Sequence, residues 1–189
     1  MPAPLISKDE VIARLFVVFR EHGYNGATLA ELAEKTGLGK SSLYHYFPGG
    51  KEEMANSVLD YVATLLTTQV LAPLREPGKP NKRLQKMVTI LDNVYAGGKN
   101  ACVLGNLAMG DSKRLFHKRL QKSFSTWIEG LESLAIEAGF TKRDARQRAE
   151  DVVISIEGGI LVTGALGDLR VFHRILSNVQ NTLLGTKSL

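Results

Sequence analysis

The 189-residue chain has a single cysteine, Cys102. No internal disulfide framework can staple it, and one thiol fits a reducing cytoplasm. Long apolar runs are missing as well. The most membrane-like stretch, residues 152–166, has 15 residues and carries Glu157; a spanning helix needs about 20 apolar residues, so this stretch reads as a buried helix and no membrane partner is expected. The opening residues, MPAPLISKDE, lack the apolar segment of a secretory leader. No alternating apolar and polar run suggests a strand. His22, His117 and His173 lack metal-ligand spacing, and no nucleophile and base are grouped by spacing, so neither a metal, a cofactor nor an enzyme is expected. Gly39-Lys40-Ser41 imitates the end of a phosphate-binding loop. That motif needs a glycine five residues earlier, where Glu34 stands, and an apolar strand before it.

What the chain does contain is helix punctuation, densest over residues 28–51, TLAELAEKTGLGKSSLYHYFPGGK. Thr28 with Glu31 forms a capping box, in which each side chain satisfies an orphan N–H at a helix start. Leu29, Leu32 and Ala33 supply an apolar face, and Gly37 suits a left-handed C-terminal cap. Leu38 fits as a wedge in the turn. A second helix, predicted over 40–47, is too short to stand alone and must be held by packing. Leu43 and Phe47, at i and i+4, are its inward face, and Pro48-Gly49-Gly50 stops it. The other face carries Lys40, Ser41, Ser42, Tyr44, His45 and Tyr46: a cation, hydroxyls, an imidazole and phenols suited to base edges and phosphates. Thr28 and Lys51 bracket the unit as phosphate clamps.

These residues resemble the DNA-binding domain of the TetR family of transcriptional regulators. The resemblance rests on Thr28, the LAEKTGL stretch, residues 42–47 (SLYHYF), and Lys51 at the start of the next helix. It covers about the first 55 residues. Two features depart from the family pattern: Gly39 stands where Ser or Thr usually caps the recognition helix, and the loop 48–50 is one residue longer than in many members. The resemblance implies a repressor. The residues themselves imply binding to double-stranded DNA and a core able to hold a ligand.

The remaining sequence predicts an all-α fold: an N-terminal three-helix helix-turn-helix domain over 1–51, and a larger effector-binding and dimerisation domain over 52–189. Ser7 with Glu10 predicts a capping box for a first helix that ends near Gly23, with Ile12, Leu15, Phe16 and Phe19 facing inward. A connector runs from Lys51 to about Leu71. Asn81 is expected to cap a helix to about Ala96, Ser112 to start one ending near Gly139, Thr141 to cap one through Leu166, and Asp168 to cap the last. The last two helices are the expected homodimer interface. The final one has the stripe Phe172, Ile175, Leu176, Val179 and Leu183, and the one before it is apolar nearly all round, with Gly158, Gly159 and Gly164 permitting close approach. A dimer predicts a pseudo-palindromic operator.

Tyr61, Met87, Leu91, Tyr95, Asn106, Met109, Phe124, Trp127 and Glu157 mix apolar bulk with sparse polar groups, as the lining of a small-molecule effector pocket does. Cys102 reads either as a small buried hydrophobe or as the thiol that meets an electrophilic effector. The chain carries +5 net charge, yet residues 1–50 hold five Lys/Arg and five Asp/Glu, while residues 76–130 hold ten and four. DNA binding therefore rests on local placement in the reader, and the basic run 113–122 (KRLFHKRLQK) reads as the solvated face of a helix. The function expected is effector-released repression; the alternative is an effector-independent activator or architectural DNA-binding protein.

Overall fold

The computed structural model describes residues 6–109 and 112–185, which form nine α-helices and no strand. They fall into two compact units. One takes the chain as far as Ala63 together with Val103–Leu120; the other takes Thr64–Cys102 and the chain from Gln121 onward.

The first unit opens with α1 (Lys8–Gly26). Ser7 caps it by accepting from the Glu10 N–H at 3.2 Å, but the Glu10 carboxylate pairs with Arg14 instead of returning to Ser7. Val11, Leu15, Val18 and Phe19 are buried along one face, and the helix breaks at Gly23. Next come α2 (Leu29–Thr36), α3 (Lys40–Tyr46) and α4 (Gly50–Leu65). Arg14 ties α1 to the end of α2 by donating to the Thr36 carbonyl at 2.7 Å. The short α6 (Val103–Leu107) packs on α1, where the Asn106 amide donates to the Arg20 carbonyl at 2.6 Å. The first turns of α7 (Lys113–Glu137) complete the unit, with Phe116 buried edge-on to Tyr24.

In the second unit the chain leaves α4 through a wide five-residue turn (Leu66–Val70) and a tight one (Ala72–Arg75) before α5 (Pro80–Val94). Pro80, and not a capping Asn81, begins α5. Proline's fixed φ suits a first helical turn and its missing N–H is no loss there. Buried Arg83 donates to the carbonyls of Leu74 and Glu76, each at 3.1 Å, and pairs with Glu137, so it holds this connector onto α7. α8 (Lys142–Leu166) is capped by Thr141. α9 (Arg170–Leu184) has Leu169 at its cap position, while the Asp168 carboxylate accepts from the Arg170 N–H at 3.0 Å.

The stripe of α9 is not free. Phe172, Leu176, Val179 and Leu183 are buried, and α9 packs against α8 and α5 of its own chain. Gly159 permits this, because Ile175 would lie 3.0 Å from a Cβ there. On α8, by contrast, Ile154, Leu161, Val162 and Leu166 are all exposed, and Gly158 and Gly164 have nothing within 4 Å of a would-be Cβ.

Candidate nucleic-acid interface

The interface is built by α2, a three-residue link and α3. Both arms of the Thr28–Glu31 capping box are present: Thr28 Oγ1 accepts from the Glu31 N–H at 3.2 Å, and the Glu31 carboxylate accepts from the Thr28 N–H at 2.8 Å. The backbone hydrogen bond from Thr28 holds the Glu31 carboxyl below the usual carboxylate range. Gly37 ends α2 at φ 71, a conformation that side chains with a Cβ disfavour, and its N–H closes onto the Glu34 carbonyl at 3.1 Å. α3 starts at Gly39 with no side-chain cap, so packing must hold its seven residues. Leu43 and Phe47 do this, both at 0 % exposure; burial of such a side chain stabilises by roughly 1.5–3 kcal/mol.

Anchoring that face turns the other outward. Thr28, Lys40, Ser41, Ser42, Tyr44 and His45 are exposed. The Tyr44 ring rests over Gly50, where a Cβ would lie 3.3 Å from Tyr44 Cε1, so the glycine at φ 67 leaves room for that ring. Two expected readers are placed differently. Tyr46 is half-buried and its hydroxyl donates to the Ile6 carbonyl at 2.7 Å, which commits it to fastening α3 beneath the start of α1. Lys51 is half-buried, with Nζ 4.7 Å from the Tyr24 ring centre. Desolvation lowers its pKa and Glu31 partly restores it, so it is an aimed cation, not a free one.

Tyr24 and Arg14 are the supporting residues that sequence reasoning missed. Tyr24 steers Lys51 and Arg14 fixes the end of α2; neither belongs to a local motif, so spacing gave no signal for them.

The expected effector-pocket residues are divided between the two units. Tyr61, Asn106 and Met109 belong to the first unit. Tyr61 lies edge-on to Phe16 with centroids 5.8 Å apart, the Asn106 amide is spent on Arg20, and Met109 is 63 % exposed. Within the first unit these three make packing contacts or lie at the surface. Tyr95, Cys102, Phe124, Trp127 and Glu157 belong to the second unit, along with Met87 and Leu91, which are buried on α5. Among them Tyr95, Cys102 and Glu157 meet: the Cys102 side chain acts on the ionisation of both the Tyr95 hydroxyl and the Glu157 carboxyl. Burial raises the pKa of Tyr95 strongly and lifts Glu157 above the usual carboxylate range, the latter partly offset by the thiol. Glu157 Oε1 is buried with no partner, as is Trp127 Nε1 on a side chain 1 % exposed. Phe124 is half-buried. Among the described residues no His, Cys, Asp and Glu cluster could hold a metal ion, and no helix is long and apolar enough to cross a membrane.

This fold and this outward-facing helix define a helix-turn-helix transcriptional regulator. Residues 11–58 match the family model described as bacterial regulatory proteins, tetR family, and residues 80–178 match the one described as transcriptional regulator LmrA/YxaF-like, C-terminal domain. The chain is 23 % identical over 161 residues to the HTH-type transcriptional regulator YxaF of Bacillus subtilis, covering 83 % of this chain and 84 % of that one. Over 51 residues, 27 % of each chain, it is 39 % identical to the HTH-type transcriptional repressor AcnR of Corynebacterium efficiens. A TetR transcriptional regulator of Legionella pneumophila shares the fold at TM-score 0.83 and 18 % identity, with 95 % of this chain and 98 % of that one covered. The chain belongs to the TetR family and is a DNA-binding transcriptional regulator, not an enzyme.

Proposed function

We propose that the chain is a cytoplasmic, homodimeric repressor that holds a pseudo-palindromic operator until a small effector binds. The observation that carries this reading is the exposed α3 face of Lys40, Ser41, Ser42, Tyr44 and His45, projected by buried Leu43 and Phe47. Thr28 at the start of α2 and Lys51 serve as phosphate clamps around it. On this reading residues 1–51 read DNA, and residues 52–189 bind the effector and the second copy. Similarity over the reader to AcnR, a transcriptional repressor, supports the direction of regulation.

The exposed apolar face of α8 supports pairing of two copies, because monomers rarely leave such a patch open. A two-fold pair supplies two α3 helices, one for each half-site of a pseudo-palindrome. The Tyr95–Cys102–Glu157 chain and Trp127 support a mostly apolar effector carrying polar groups, since Glu157 Oε1 and Trp127 Nε1 are buried and unsatisfied. Between an apolar and an electrophilic effector, a thiol that is buried and engaged on two sides favours the apolar one. Cys102 is followed directly by α6, whose Asn106 holds α1, and α4 begins beside Lys51; both give a bound effector a covalent route to the reader. Release then follows from differential affinity of the effector for two arrangements.

A mobility-shift screen with DNA flanking the chain's own coding region, with and without a library of apolar compounds, tests this reading. A retarded duplex freed by one compound is the expected result. Retention insensitive to every compound that raises the melting temperature favours an effector-independent activator or architectural protein instead.

A further inference from the structure

The outer face of α7 takes no part in the reading face. In its first turns Phe116 and Leu120 are buried, and Arg119 is held by Asp60 and by Asn56 of α4, the latter at 2.9 Å. Arg114, Lys118 and Lys122 follow one another at i, i+4 and i+8 on the side of the helix away from Phe116 and Leu120. All three are exposed, and none makes an ion pair with a described residue. Lys113 and Arg114 also sit in the first turn, where no acidic residue is present and the helix dipole disfavours cations. Solvation alone gives no reason for that placement.

The charge of the first unit supplies one. As far as Ala63 the chain holds six Lys/Arg and eight Asp/Glu, a net −2; Val103–Leu120 holds four and one, which brings the unit to +1. The part that carries the reading helix would be repelled by a polyanion at long range, and the start of α7 reverses that sign. We infer that the Arg114, Lys118 and Lys122 stripe is a second, sequence-independent contact with the DNA phosphate backbone, separate from α3. This rests on the DNA-binding reading above. Eight residues of helix cover about 12 Å, over which one strand presents three to four phosphates. DNA is favoured over a membrane or an acidic protein because these turns of α7 are fastened by Arg119 to α4, in the unit that holds α3.

The test uses the full chain and a duplex that it retains from a random-sequence pool, together with a scrambled version of that duplex. The variant Arg114→Gln/Lys118→Gln/Lys122→Gln keeps helix propensity and removes three charges. Its control, Lys79→Gln/Lys82→Gln/Lys142→Gln, removes three exposed charges that lie outside α7. The stripe variant is expected to bind both duplexes about tenfold or more weakly at about 50 mM salt, with the slope of log K against log salt shallower by roughly 2–3 and the ratio between duplexes unchanged. The control is expected to keep the wild-type slope. Wild-type affinity and slope in the stripe variant, or an equal loss in the control, would overturn the inference while leaving DNA binding intact. Unchanged DNA binding with loss of binding to phosphatidylserine vesicles would overturn it in favour of a membrane surface. Failure of the wild-type chain to retain any duplex would instead defeat the DNA-binding reading, and the stripe's role with it.

Discussion

Two tyrosines two residues apart, Tyr44 and Tyr46, give α3 a sharp internal test, since removing one oxygen from each separates fastening from reading. Tyr46→Phe deletes the 2.7 Å hydrogen bond to the Ile6 carbonyl. A typical hydrogen bond is worth a net 0.5–1.5 kcal/mol, and here both groups are half-buried, so water can reclaim the carbonyl and the loss should be about 0.5–1 kcal/mol. In a chain of this length that lowers the melting temperature by roughly 1–4 °C. Tyr44 is 45 % exposed, and its ring touches Gly50 without burying the hydroxyl. Tyr44→Phe should therefore leave stability within about 0.5 kcal/mol, while weakening the retained duplex about two- to tenfold by loss of one hydrogen bond. Thermal melts followed by circular dichroism and duplex titrations followed by fluorescence anisotropy measure the two effects on the same proteins. Equal melting losses in both variants would refute the assignment of roles. So would a tenfold binding loss in Tyr46→Phe with no change in melting.

Other consequences can be checked in the same way. Gly50→Ala forces a Cβ into a left-handed conformation and against the Tyr44 ring, which should cost about 1–2 kcal/mol in a urea titration and weaken duplex binding with it. Leu161→Glu, at an exposed apolar position of α8, should leave the melting temperature of the isolated chain intact but shift the sedimentation coefficient to that of a monomer; an unchanged dimer would move the pairing surface elsewhere. Glu157 has its pKa raised by burial, so its contribution to stability is fully present below the ordinary carboxylate range and is lost as pH rises through the folded value. Glu157→Gln should therefore melt higher than wild type at neutral pH and lose that advantage near pH ~4; a constant difference across that window would exclude Glu157 as the titrating group.

What could be read in the sequence was local. The Thr28–Glu31 box, the turn at Gly37 and the Leu43–Phe47 anchor each lie within a few residues, and each signal has one physical cause. What could not be read joins distant segments. The Tyr46 bond to Ile6 spans 40 residues, the Arg14 bond to Thr36 spans 22, and the Asn106 bond to Arg20 spans 86. Composition could nominate Asn106 as a polar group needing a partner in an apolar run, but not that the Arg20 carbonyl of α1 accepts from its amide. Tyr61 and Met109 have the chemistry of pocket residues, yet only the fold could say that they sit in a different unit from Tyr95, Cys102 and Glu157. The stripe on α9 was equally visible, and its amphipathic pattern could not distinguish cover by α8 and α5 from cover by a second copy.

The most direct measurement is protection of the retained duplex from hydroxyl radicals and from base methylation by the wild-type chain and by Ser42→Ala, Tyr44→Phe and His45→Ala variants. Major-groove purines should be shielded at two half-sites, with shielding lost base by base as these α3 side chains are truncated. Protection that is unaltered by all three truncations would contradict it.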